Sequence, residues 1–272
     1  MPSPLGAALR RERLVTAAAL VLLTALAWLW LLRGAGMGMS PRAAFDPFPH
    51  TTPPMAMPAP AWSAGGFLLA ASMWWVMMVA MMLPAATPVI LLNAAAAPRE
   101  GPAARVHSGW FLAGYLAAWG GFSLAAAGLQ FVFERSGALD QMTLGSGARW
   151  FSAAVLLAAG LYQLSPFKDA CLGQCRNPAQ FLVRNYRPGR AGAVAMGVRH
   201  GAFCVGCCWL LMALLFVGGV MNLAWIALLT VLVAAENQRA PDPRVIWSSA
   251  PERSKTNCSP AAASENPPQA AR

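Results

Sequence analysis

Charge is what this sequence has least of. Asp, Glu, Lys and Arg make up 11% of its 272 residues, against about 25% in soluble globular chains. No stretch combines the charge and length of a separate soluble domain, so one membrane domain with tails is expected. No glycine-rich phosphate loop and no nucleotide-binding pattern is present, so any movement of a cargo runs down a gradient or is coupled to a partner. The six cysteines are not spread as a secreted disulfide framework, because five of them fall in two tight clusters. Acidic residues are scarcer than basic ones, 10 against 20, for a net charge of +10. The basic residues flank apolar runs instead of forming a patch, which excludes a nucleic-acid reading and fits the positive-inside rule.

What is abundant is apolar sequence: 57% of the residues are hydrophobic. Several runs reach or approach the length of about 20 residues needed to cross a bilayer. The expected fold is all-α, a polytopic membrane helix bundle of about six transmembrane helices spanning residues 14–32, 66–92, 109–133, 150–164, 201–217 and 220–235. Residues 1–13 form a cytoplasmic N-terminal segment, 14–236 the membrane domain, and 237–272 a disordered tail rich in Pro, Ser, Ala and Asn. The first run is too long for a signal-peptide core and reads as a retained anchor. Pro84 and Pro88 are expected to kink or end the second span, and Gly218-Gly219 to form the tight turn between the last two.

With both termini in the cytoplasm, the inner segments collect Arg10, Arg11, Arg13, Arg99, Arg105, Lys168, Arg176, Arg184, Arg187, Arg190 and Arg199. The outer ones hold only Arg33, Arg42, Arg135 and Arg149. This asymmetry places the chain in a bacterial inner (cytoplasmic) membrane, N-in and C-in.

Three cysteines, Cys204, Cys207 and Cys208, stand at i, i+3 and i+4, one face of a helix, with His200 one turn before them. Cys171 and Cys175 form a second pair near the same expected cytoplasmic face. Packing explains buried cysteines equally well. Convergence of the two clusters would suit a soft metal: thiolates favour Cu(I) and zinc, and Cu(I) is satisfied by two or three sulfurs in an apolar surround. Zinc remains open through His200, although a structural zinc site takes four ligands.

Met73, Met77 and Met81 share a face at i, i+4 and i+8. They read either as core filler or as a soft path. In the loop between the first two spans, five prolines from Pro47 to Pro58 prevent a regular helix. There Met37, Met39, His50, Met55 and Met57 offer thioether and imidazole donors, which suit copper on the oxidising side. Lys168, Asn177, Asn222 and Glu236 read as interface anchors near span ends, and Trp74 and Trp75 as belt or packing residues.

Three motifs in order carry a resemblance: Met73-Trp74-Trp75-Val76-Met77-Met78 through Pro84; Tyr162-Gln163-Leu164-Ser165-Pro166-Phe167-Lys168 with Cys171, Cys175, Arg176 and Pro178; and Gly201 with Cys204, Cys207, Cys208 and Trp209 through Gly219 to Asn222. Over about residues 66–236 the chain resembles a bacterial family of predicted metal-binding integral membrane proteins, long catalogued as a domain of unknown function. One branch of that family is linked to copper delivery to a polyphenol oxidase, a tyrosinase-like enzyme. The resemblance implies metal binding, with Cys171, Cys175, Cys204, Cys207 and Cys208 as ligands, and suggests copper(I) and a cuproenzyme client. Past Glu236 the likeness breaks off at Asn237-Gln238-Arg239-Ala240-Pro241.

The resulting expectation is a copper(I) chaperone or metallation factor in the lipid bilayer, not an enzyme. The alternatives are a thiol-disulfide oxidoreductase using Cys204 and Cys207 and a structural subunit whose cysteines only pack.

Overall fold

The computed structural model describes residues 4–33, 62–96, 103–139 and 149–238, all within one compact unit, Met1–Arg239. The elements in order are α1 (Pro4–Leu32), α2 (Ala64–Ala96), α3 (Ala103–Arg135), α4 (Arg149–Gln163), α5 (Pro166–Arg176), α6 (Pro178–Asn185), α7 (Gly189–Ala213), the single turn α8 (Leu215–Gly218) and α9 (Leu223–Gln238). The described secondary structure is all helical.

Four helical stretches are long and apolar enough to cross a membrane: Arg13–Leu32, Ala64–Ala95, Ser108–Arg135 and Gly189–Gly218. The expected span at 150–164 is α4, which α5 continues after a 63° bend; the pair makes a fifth crossing if it counts as one. The expected last span, 220–235, is α9, at 16 residues shorter than the roughly 20 needed for a straight crossing. A count of six thus rests on one bent pair and one short helix.

The largest departure from the sequence reading lies between 165 and 200. That segment, expected as a basic cytoplasmic stretch, is folded into α5, α6 and the first half of α7, which starts at Gly189 and not Gly201. Serine and proline explain the breaks. Ser165 caps α5, its Oγ accepting from Phe167 N at 3.2 Å, and Pro166 and Pro178 occupy first helical turns, where the missing N–H costs nothing.

Pro84 and Pro88 do not end α2, which runs through both. Pro84 cannot donate to the Ala80 carbonyl four residues back. The Trp28 indole N–H of α1 donates to that oxygen at 3.2 Å, which ties α1 to α2.

α3 and α7 form the most extensive pair. Gly114, Gly197 and Gly201 lie against the partner backbone so tightly that a Cβ at Gly201 would sit 2.6 Å from Ala118 Cβ. Small residues permit this approach of two backbones. At the end of α8, Gly219 has φ +94°, a conformation natural to glycine, so the expected turn is present. Asn222 caps α9, its Oδ1 accepting from Ala224 N at 3.0 Å and Trp225 N at 3.2 Å.

Candidate metal centre

Half-way along the α7–α8 stretch, Cys204, Cys207 and Cys208 are all buried. Cys204 lies 15 residues from Gly189, or about 22 Å at 1.5 Å per residue. The cluster was expected at or just within the cytoplasmic face; the early start of α7 puts it at mid-helix.

The second cluster reaches it because α5 folds back across α7. Contacts of α4 with α7, of α5 with α7 and of α5 with α9 hold that arrangement. The Tyr162 hydroxyl donates to the Gly206 carbonyl. Cys171 rests over Gly206, where a Cβ would lie 2.9 Å from its Sγ and would push the thiol aside. Lys168 is buried, 3% exposed, and its ammonium meets both Glu236 oxygens at 2.8 Å. It also donates to Gln163, while Arg176 Nε donates to the Glu236 carbonyl at 2.9 Å. Lys168 and Glu236 were expected as interface anchors. They are instead a buried ion pair joining α5 to α9, since a charge removed from water requires an opposite one.

As a result the Sγ atoms of Cys175, Cys204 and Cys207 lie within 4.8 Å of one another. With a metal–thiolate bond of about 2.3 Å, the zinc value, a trigonal three-sulfur site has edges of about 4 Å. The three thiols therefore need only a small inward movement to hold one ion. All described cysteines are free thiols. Cys204 is the hub: its thiol belongs to the group of three, and its carbonyl accepts from Cys207 Sγ at 3.1 Å and Cys208 Sγ at 2.9 Å. The Tyr115 hydroxyl donates to the Met82 carbonyl at 3.2 Å and lies 3.4 Å from Cys204 Sγ.

Other expected ligands are placed differently. Cys171 is half-buried beside Gly206, outside the group of three. Cys208 turns toward α2, its Sγ 3.9 Å from Met82 Sδ. His200 is also outside the group; it is enclosed by the rings of Phe111, Tyr115 and Phe181, and its Nδ1 has no hydrogen-bond partner. Met73, Met77 and Met81 are buried in the core, but the thioether that touches a cysteine is that of Met82. Met37, Met39, His50, Met55 and Met57 lie outside the described residues. Of the belt and packing readings, Trp74 follows packing: fully buried, it donates to Gln130 Oε1 at 2.8 Å.

A sequence model of the PpoB2 family, described as a copper chaperone, matches residues 71–250. The chain belongs to this family. The match runs from within α2 through α9 and so includes all three thiols, and it continues past Glu236, where the sequence resemblance breaks off. Comparisons with curated proteins and with solved structures found no match. Membership of a copper chaperone family and a group of three thiols, two buried and one half-buried, together support a copper-related role for the chain.

Two residues beside the thiols were not among the expected ligands, although both left a signal in the sequence. Met82 stands four residues after Met78, on a second methionine face beside the one singled out. Tyr115 is one of only three tyrosines and sits inside an apolar run, where its hydroxyl must find a partner.

Proposed function

We propose that the chain is an integral membrane protein that holds copper as Cu(I) on Cys175, Cys204 and Cys207 and passes it to a cuproenzyme. The single observation that carries this reading is the meeting of three thiols from two helices, Cys204 and Cys207 buried and Cys175 half-buried, in a largely apolar setting. Three sulfurs without a fourth ligand suit Cu(I) better than zinc, whose structural sites are closed by four. The ion is cargo here and no bond in a substrate is made or broken, so the protein is a carrier and not a catalyst.

Membrane residence is supported by the four long apolar helices and by their outward faces. Leu14, Leu22, Leu68, Leu161, Leu228 and Val231 are all exposed, and in water such surface would drive association. The charge asymmetry favours a bacterial inner membrane with both termini cytoplasmic. The resemblance to the branch linked to polyphenol oxidase favours an oxidase of that kind as client, with the methionine and histidine loop at residues 37–57 exchanging copper outside.

Anaerobic Cu(I) titration of the purified protein against a competing chelator tests the site. Cys175→Ser, Cys204→Ser and Cys207→Ser are each expected to weaken binding at least about tenfold, or about 1.4 kcal/mol, while Cys171→Ser changes it less than about threefold. Serine nearly matches cysteine in size and bonds back to its own helix, so thermal unfolding should move little. Wild-type affinity in all three variants would sink the site. A reversible Cys204–Cys207 disulfide without copper binding would move the reading to thiol-disulfide exchange.

A further inference from the structure

Beside the three-thiol group lies a second set of soft donors. Cys208 Sγ and Met82 Sδ are 3.9 Å apart on different helices, and each residue is at most 1% exposed. Their separation matches the edge of about 4 Å that bonds of about 2.3 Å give a trigonal sulfur site. Cys208 already donates to the Cys204 carbonyl one turn back, at 2.9 Å. The same thiol is also placed to donate to Met82 Sδ, so a soft cation that displaces its proton meets both sulfurs. The third donor is one helical turn away: Cys204 belongs to the three-thiol group, its carbonyl accepts from Cys208 Sγ, and the Tyr115 hydroxyl that lies 3.4 Å from Cys204 Sγ also reaches the Met82 carbonyl at 3.2 Å.

We propose that Cys204, Cys208 and Met82 form a second Cu(I) station that shares Cys204 with the three-thiol site. The inference rests on the copper-carrier reading and adds the step by which the ion leaves its first ligands. In that step the bonds from copper to Cys175 and Cys207 break, and bonds to Cys208 and Met82 form. The Cys204 bond persists, the proton of Cys208 passes to one released thiolate, and the other released thiolate takes a proton from solvent water, which half-buried Cys175 can reach. Copper stays Cu(I), so no oxidant or reductant is needed. Charge favours an accessible second station: Cu(I) with three thiolates carries −2, with two thiolates and a neutral thioether −1. A smaller buried charge has the lower desolvation penalty. A thioether also binds more weakly than a thiolate, as suits a place from which the ion departs.

The test removes the first site and looks for the second. In the full-length Cys175→Ser/Cys207→Ser protein, anaerobic Cu(I) titration against a graded series of chelators is expected to show one residual equivalent, bound at least about tenfold more weakly than in the wild type. Adding Met82→Leu, which keeps the volume and removes the sulfur, should abolish that equivalent, and so should adding Cys208→Ser. Unfolding temperature and elution volume establish that each variant is folded. In otherwise wild-type protein, Met82→Leu should slow copper release to excess chelator at least about tenfold. No residual equivalent in the double variant, or one indifferent to Met82→Leu and Cys208→Ser, overturns the second station and leaves the three-thiol site standing. A wild-type protein that binds no Cu(I) overturns both.

Discussion

Pro84 shows how one residue's chemistry is answered elsewhere in the chain. Proline inside a helix leaves a carbonyl without its donor, and a buried carbonyl with no partner costs about 1–3 kcal/mol. Trp28 removes that cost by donating to Ala80 O at 3.2 Å. Trp28→Phe is therefore expected to lower stability by about 1 kcal/mol in the wild-type background. With Pro84→Ala, residue 84 regains its N–H and satisfies Ala80 itself, so the Trp28→Phe penalty should shrink toward the ring-size effect alone. Unfolding of the two single variants and the double in detergent measures this coupling; equal penalties in both backgrounds would show that the bond contributes nothing.

At the scale of elements, the position of α5 decides whether Cys175 meets α7 at all. The Lys168–Glu236 pair joins α5 to α9 in a nearly dry setting, the two side chains being 3% and 14% exposed. Removing one partner of a buried pair leaves the other charge uncompensated, which typically costs about 3–5 kcal/mol, whereas replacing both with apolar groups is often neutral. Lys168→Met and Glu236→Leu should each destabilise the protein by that amount and weaken Cu(I) binding along with it. The double variant Lys168→Met/Glu236→Leu should recover most of the stability. If the pair also orients α5, copper affinity will recover less than the melting temperature does, because apolar contact does not fix direction as two hydrogen bonds do. A double variant no more stable than either single one would contradict the ion-pair account.

For the whole molecule, the open matter is which way the helices face. The early start of α7 does not change the charge argument, since Arg187, Arg190 and Arg199 stay near its N-terminal half. A reporter active only outside the cytoplasm, fused at residue 50, is expected to give signal, and one fused after Gln238 none. The reverse pattern would invert the sides assigned to the methionine loop and to the thiols. Copper would then enter the protein from the opposite face.

The helical class, the apolar stretches, the glycine turn and the two cysteine clusters were legible in the sequence, because each depends on local spacing or on composition summed over one helix. Cys204, Cys207 and Cys208 had to share a face once their stretch was helical. Nothing local could tell that α5 bends 63° from α4 and brings Cys175, but not Cys171, into the group. That choice depends on a bare Gly206, the Tyr162 hydroxyl and a lysine whose partner is 68 residues away. The same holds for Met82: both methionine faces of α2 have helical periodicity, and only the neighbour packed against each one decides which sulfur touches a thiol. Periodicity fixes which side chains point together on one helix. Which helices meet, and at what height, is set by close backbone approach at Gly114, Gly197 and Gly201 and by buried polar groups that must each find a partner.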